Sequence, residues 1–182
     1  TTLIDIGAGA GCIPIAIIKT ITPKNTKVFA TDISKRALRV AQKNAARHGV
    51  DITFLHGSLL QPINHSTNYQ LQTTNLIITA NLPYLTEKQF ITEPSIQYEP
   101  ERALIAGKSG LELYKKLLKQ IKTLAKSYKL PAISCFFEID PSQSASMTAL
   151  IKKYLPAAAI EIKKDLAGRD RVVEINLPDI SK

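Results

Sequence analysis

Thr2-Leu3-Ile4-Asp5-Ile6-Gly7-Ala8-Gly9-Ala10-Gly11, at the head of the chain, is the stretch whose reading decides the fold. Residues 2–6 are mostly apolar and read as a short buried strand. Gly7, Gly9 and Gly11 then make a tight turn, because glycine accepts positive φ and lets a ligand approach the backbone closely. Residues 13–21 read as a helix, whose first N–H groups are free to meet a carboxylate or a phosphate. Residues 27–31 read as a second strand closed by Asp32, where a carboxylate can accept ribose hydroxyls. Strand, glycine turn, helix, strand, acid: that is the order of a nucleoside-cofactor site.

Outward from this unit, Ser34 is a helix N-cap, Ala37, Leu38, Val40, Ala41 and Ala45 supply an apolar face, and Gly49 stops the helix. Residues 52–55 are a third strand and residues 64–74 a polar loop. Residues 76–80 are a fourth strand, which runs into Asn81-Leu82-Pro83-Tyr84. An irregular, proline-containing stretch follows to residue 108. Residues 111–125 are a long amphipathic helix with Leu113, Leu117, Leu118, Ile121 and Leu124 inward. Residues 132–139 are a fifth strand, 142–154 a helix, and 158–162 and 172–175 two last strands. The alternation implies an α/β fold, a seven-stranded and mostly parallel sheet with helices on both faces. The short 163–171 connection makes the last two strands an antiparallel hairpin at one edge.

The 182 residues suit a single domain over the whole chain. At 45 % hydrophobic and 21 % charged residues, the composition excludes disorder. Cys12 and Cys135 are far apart, so neither a disulfide framework nor a zinc ribbon is implied, and both read as small buried apolar residues. His48, His56 and His65 lack metal-ligand spacing, and no metal is expected. Pro14 interrupts the longest apolar run, which is too short for a bilayer, so no membrane partner is expected; the two lone cysteines fit a reducing cytoplasm, and a monomer is expected. The chain opens directly into a strand, and the expectation is that an upstream segment was removed or never existed. A net charge of +9 permits an acidic partner such as RNA or a ribosome-bound protein. The charge is spread, however: Lys35, Arg39, Lys43 and Arg47, and nearly so Lys115, Lys119, Lys122 and Lys126, keep helical spacing and read as solvated outer faces. The few aromatics are not interleaved with basic residues, so no base-stacking platform is indicated.

The dinucleotide fingerprint Gly-x-Gly-x-x-Gly fails here, because Cys12 stands at its third position. Asp5-x-Gly7-x-Gly9-x-Gly11 resembles instead the first motif of class I methyltransferases, whose loop wraps the methionine half of S-adenosylmethionine. Asn81-Leu82-Pro83-Tyr84 resembles the Asn-Pro-Pro-Tyr signature of amino-group methyltransferases. An amide or exocyclic amine is a poor nucleophile and must be held in line with the sulfonium methyl. The Asn81 side-chain oxygen and the Leu82 carbonyl can accept its two N–H hydrogens and stabilise the charge that forms on nitrogen. Pro83 holds Leu82 extended and so fixes where that carbonyl points. Tyr84 offers a flat face to a planar acceptor. Leu82, standing for the commoner proline, keeps the carbonyl, gains an N–H and loses a fixed φ; Leu82→Pro is expected to be tolerated.

Several further pieces make the whole chain similar to the methyltransferase domain of release factor glutamine methyltransferases. They are Ala30-Thr31-Asp32-Ile33-Ser34, Ala41-Gln42-Lys43-Asn44-Ala45, Tyr98-Glu99-Pro100, Gly107-Lys108-Ser109-Gly110-Leu111, Phe137-Glu138-Ile139 and Gly168-Arg169-Asp170-Arg171-Val172-Val173. The resemblance implies methyl transfer from S-adenosylmethionine to the glutamine amide of a Gly-Gly-Gln motif in peptide chain release factors. It implies cofactor contacts at Asp5, Gly7, Ala8, Gly9, Ala10, Gly11, Asp32 and Asn81, with Ser58 and Leu59 along the adenine. At Ser58 the family usually has an acid. It implies that Asn81, Leu82, Pro83 and Tyr84 bind the glutamine, and that the family's amino-terminal helical domain is absent here. The alternative is rRNA adenine methylation, whose enzymes carry Asn-Leu-Pro-Tyr too. Their first motif usually starts with Glu and has a proline where Ala8 stands. Glu138 reads as facing the substrate or capping the next helix. Arg169, Asp170 and Arg171 read as an ion-pair cluster on the rim or a plain hairpin turn.

Overall fold

A computed structural model describes residues 1–21, 25–64, 75–92, 95, 98, 100–128, 130 and 132–178. Residues 65–74 of the polar loop, His65 among them, and Glu99 of Tyr-Glu-Pro lie outside the described residues. Seven strands form one sheet in the order β3-β2-β1-β4-β5-β7-β6. They are β1 Thr2–Ile6, β2 Lys27–Asp32, β3 Thr53–His56, β4 Leu76–Ala80, β5 Ile133–Glu138, β6 Ala159–Lys164 and β7 Asp170–Leu177. The first five are parallel, and β7 runs antiparallel between β5 and β6. The expected edge hairpin is therefore present, with its second strand on the inside.

The central strands are apolar because both faces are covered. All five residues of β1 are buried. Ile4 and Ile6 pack into one core with Leu117, Leu118 and Ile121, while Leu3 packs into a second core with Ile15 and Ala45. The period of two thus sends alternate residues to opposite helical layers. The helices are α1 Cys12–Ile21, α2 Lys35–His48, α3 Gln61–Asn64, α4 Glu87–Thr92, α5 Glu101–Leu104, α6 Glu112–Tyr128 and α7 Ser144–Tyr154. Helix α2 begins and ends as its sequence requires. The Ser34 hydroxyl accepts from Ala37 N–H, and Gly49 takes the left-handed conformation that closes the last turn.

Helix α6 buries Tyr114, Leu117, Leu118, Ile121, Leu124 and Ala125, a stripe at intervals of three and four. Each large side chain there stabilises the fold by about 1.5–3 kcal/mol relative to exposure. Leu113, expected inward, is half-buried, and the neighbouring Tyr114 takes the fully buried position instead. Val40 is likewise exposed rather than part of the α2 face, and Cys12 is exposed at the start of α1, unlike Cys135. The irregular stretch before residue 108 contains α4 and α5, tied to the rest by a bridge between Leu85 and Ile105. The lysines and arginines of α2 and α6 at helical spacing are all exposed, as solvated faces require. Among the described residues no helix is long and apolar enough to cross a membrane.

Candidate active site

The strand order reverses between β1 and β4, and ligands of open α/β sheets bind beyond the carboxyl ends of strands at such a point. Two loops leave the sheet there: residues 7–11 after β1 and residues 81–84 after β4. They touch. A Cβ built on Gly7 would lie 3.0 Å from Leu82 Cδ2 and 3.8 Å from the Asn81 carbonyl oxygen.

The glycine loop is held by its own backbone geometry and by α2. Gly7, Gly9 and Gly11 all have positive φ, at 73°, 54° and 82°. Gly11 also admits α2, since a Cβ there would lie 3.2 Å from Ala41 Cβ. A Cβ on Gly9 would meet nothing within 4 Å, so that side of the loop is open. Asn44, on α2, donates from its side-chain amide to the Ala10 carbonyl at 2.9 Å. Asp32 reaches across from β2, accepting from Gly9 N–H at 2.9 Å on one oxygen and from Ser34 N–H at 2.7 Å on the other. Each carboxylate oxygen keeps acceptor capacity beyond these bonds.

Asp5 lies beneath this loop at 1 % exposure and accepts from the Thr79 hydroxyl on the adjacent strand. Burial pushes its carboxyl up to about 7, the Thr79 bond opposes that, and nearby Asp32 adds to it. Its place is under the turn rather than on its surface. Ser58 follows β3 and is half-buried. Leu59 is 7 % exposed, with its side chain in the core, so it does not present an open face to a ring. Its φ of 53° is supported by the buried Thr31 hydroxyl, which donates to the Leu59 carbonyl at 2.8 Å.

The 81–84 loop depends on distant side chains. Asn81 is exposed, Leu82 buried, and Pro83 and Tyr84 half-buried. From α6, the Tyr114 hydroxyl accepts from Leu82 N–H at 3.4 Å, reaches the Ala80 carbonyl at 3.4 Å and makes a short bond to the Glu138 carbonyl. At the other end, the Gln143 side-chain amide donates to the Tyr84 carbonyl at 2.8 Å, while its oxygen accepts from Asp140 N–H. Gly110 makes room for this, because a Cβ there would lie 2.2 Å from the Tyr84 carbonyl oxygen. The Tyr84 hydroxyl donates to a Glu138 carboxylate oxygen at 3.2 Å, which gives Glu138 a partner in the 81–84 loop. Burial and the Glu138 carboxylate push the Tyr84 hydroxyl pKa up.

Beside the loop lies a cleft of about 540 Å³ lined by Asn81 to Leu85, by Gln89 and Thr92 of α4, by Ala103 and Leu104, and by Asp140 and Arg171. The residues 169–171 do not form one ion-pair cluster. Asp170 pairs with Lys164 at 2.8 Å, and Arg171 faces Asp165 at 3.6 Å. Sequence reasoning missed Tyr114, Gln143, Asp140 and Gln89, and it used Asn44 and Gly110 only as parts of a pattern. Among the described residues no group of three His, Cys, Asp or Glu side chains could hold a metal.

A family model described as a methyltransferase domain matches residues 1–154. The chain is 36 % identical over 173 residues to the release factor glutamine methyltransferase of Enterococcus faecalis, covering 94 % of this chain and 58 % of that protein. It is 32 % identical over 171 residues to the enzyme of the same name from Bacillus cereus, covering 93 % of this chain and 56 % of the relative. The chain thus spans somewhat more than half the length of these relatives. The hMettl16 catalytic domain in complex with an RNA hairpin superposes with a TM-score of 0.65 at 17 % identity, covering 100 % of this chain and 64 % of that one. That likeness confirms the fold.

Proposed function

The chain belongs to the methyltransferase domain family, and on that premise we propose that it moves the methyl group of S-adenosylmethionine to the glutamine amide nitrogen of a Gly-Gly-Gln motif in peptide chain release factors. The reading places it in the cytoplasm as a single chain. The observation that carries methyl transfer is the contact of the two loops, with Gly7 against Leu82, at the point where the strand order reverses. The relatives' names carry the choice of acceptor.

The residues present fit the cofactor. The open side of Gly9, the left-handed glycines and the spare acceptor capacity of Asp32 suit a small nucleoside with an amino-acid tail. Gly7, Ala8, Gly9, Ala10 and Gly11 would hold the tail, Asp32 the ribose hydroxyls, and the segment at Ser58 the adenine. Leu59 would support that segment from the core, and Asp5 the turn from beneath. Bound there, S-adenosylmethionine supplies an electrophilic methyl on a sulfonium.

The remaining work is positional. A primary amide has two N–H donors, and the Asn81 side-chain oxygen and the Leu82 carbonyl accept them. The nitrogen is thereby turned toward the glycine loop, and the two acceptors offset the positive charge that grows on it. The amide proton becomes acidic as the bond forms, so no strong base is required. The half-buried Tyr84 ring and Pro83 flank the planar group and exclude water. The cleft of about 540 Å³ suits a glutamine side chain with its flanking peptide.

The test is mass spectrometry of a purified release factor incubated with the chain, or the chain rejoined to its neighbouring domain, and labelled cofactor. The expected result is one methyl on the Gly-Gly-Gln glutamine. No mass gain on the factor, with label appearing on rRNA, overturns the choice of acceptor.

A further inference from the structure

We infer that Tyr114 is a positioning residue for methyl transfer, acting through the Leu82 N–H. The inference rests on the proposed role of residues 81–84 as the acceptor loop and deepens it.

Three observations meet at one oxygen. Tyr114 is fully buried in the α6 stripe, its ring centroid 5.3 Å from that of Phe137, and it carries a hydroxyl into the core. A buried hydroxyl is costly unless bonded. This one donates its single proton to the Glu138 carbonyl and accepts from the Leu82 N–H, with the Ala80 carbonyl 3.4 Å away. Those groups lie at the carboxyl ends of the neighbouring strands β4 and β5, where the acceptor cleft begins. The hydroxyl thus ties the two strand ends together and fixes the peptide plane between Asn81 and Leu82. That plane sets both acceptors, the Asn81 side chain on one side and the Leu82 carbonyl on the other.

Leu82 stands where the resembling signature has a proline, and this arrangement gives its N–H a partner. Against the sequence-based expectation, Leu82→Pro is not neutral. The N–H points at a hydroxyl oxygen 3.4 Å away. A proline ring carbon, bonded to that nitrogen at about 1.5 Å, would stand roughly 2 Å from the hydroxyl, well inside contact distance. Tyr114→Phe has the reverse defect, leaving the Leu82 N–H buried and unpaired while clearing the space a proline needs. Gln143 holds the other end of the loop at the Tyr84 carbonyl and has no part in this pairing, so it serves as the control.

The experiment is a double-mutant cycle of Tyr114→Phe and Leu82→Pro, with Gln143→Leu crossed against Leu82→Pro as the control. It is read by methyl transfer to a release factor, by cofactor titration and by amide exchange without acceptor. Tyr114→Phe is expected to lower kcat about tenfold, a loss of orientation, with KM for the acceptor and Kd for the cofactor within about twofold. Leu82→Pro is also slower than the parent. The double variant is expected to be no slower than the slower single variant, whereas independent effects would multiply. Gln143→Leu and Leu82→Pro should multiply. In the substrate-free arm, Tyr114→Phe should speed exchange of the Leu82 amide about tenfold while global stability accounts for less.

Multiplying effects in the Tyr114–Leu82 cycle, or an unchanged Leu82 exchange rate, overturn the inference. If the parent transfers no methyl to a release factor, the proposed acceptor fails. The exchange arm, together with the same cycle read by denaturation, still decides the role of Tyr114.

Discussion

The two loops that meet at the head of the sheet are built in opposite ways. The glycine loop of residues 7–11 carries its conformation within itself, in three left-handed glycines, and leans on nearby Asp32 and Asn44. The proposed acceptor loop of residues 81–84 contains no glycine and is bonded from outside, by Tyr114 thirty-two residues on and Gln143 fifty-nine residues on from the atoms they hold. On the proposed reading, the first loop can be specified locally because its ligand is small and fixed, whereas the second must hold two carbonyl-type oxygens in defined directions, which only a surrounding frame sets.

Gly110→Ala attacks that frame most severely. The new Cβ would stand 2.2 Å from the Tyr84 carbonyl oxygen, at a residue whose φ is 73°. A loss of about 3–5 kcal/mol in denaturant unfolding is expected, from overpacking against backbone together with left-handed strain. Next comes Asn81→Ala, expected to weigh far more on the acceptor side of the comparison than on the cofactor side. It should lower kcat by about 10²–10³, as removal of a transition-state hydrogen-bonding group does, while cofactor affinity stays near the parent value. Equal losses in rate and in cofactor titration would show Asn81 to be part of the cofactor loop's machinery instead.

Asp5, beneath the glycine loop, gives the fold a pH dependence. Burial holds its carboxyl at about 7 in the fold, above its ordinary 3.8. A raised acid is still protonated in the fold where the unfolded chain has already ionised. Its contribution to stability is therefore complete below about pH 4 and is lost as pH rises through about 7. Asp5→Asn should flatten that decline in a series of melts from pH 4 to 8; an unaltered slope would assign the dependence to another group. The smallest effect belongs to Gly9→Ala. The added methyl meets nothing, so only the strain of a positive φ remains, about 1 kcal/mol in stability, and cofactor affinity should fall more than stability does.

The same contrast explains what the sequence made legible. Glycine spacing, the strand runs around it and the Ser34 and Gly49 caps are local signals, and each appears where it was read. The acceptor loop was legible as a motif, and its support was not. Tyr114 does continue the stripe of Leu117, Leu118, Ile121 and Ala125, but a tyrosine in an amphipathic pattern gives no sign that its hydroxyl will be spent inside. Gln143 is a surface residue type that is 6 % exposed, and only the tertiary approach of Gly110 and Tyr84 explains it. Helices α3, α4 and α5 span four to six residues, too few for a periodic signal to rise above loop composition. The placement of β7 inside β6 is a matter of topology, which two consecutive strand patterns leave open.

That placement has a consequence of its own. With β7 inside, β6 is left as the open border at its end of the sheet, a row of backbone groups able to recruit a stray strand from another molecule. The border is defended. Its outward side chains include Glu161, Lys163 and Lys164, with Lys163 paired to Glu161 at 2.6 Å, and the register slips between Lys163 and Lys164. Charge and a local kink together make β6 a poor template, so the sheet ends at its seventh strand.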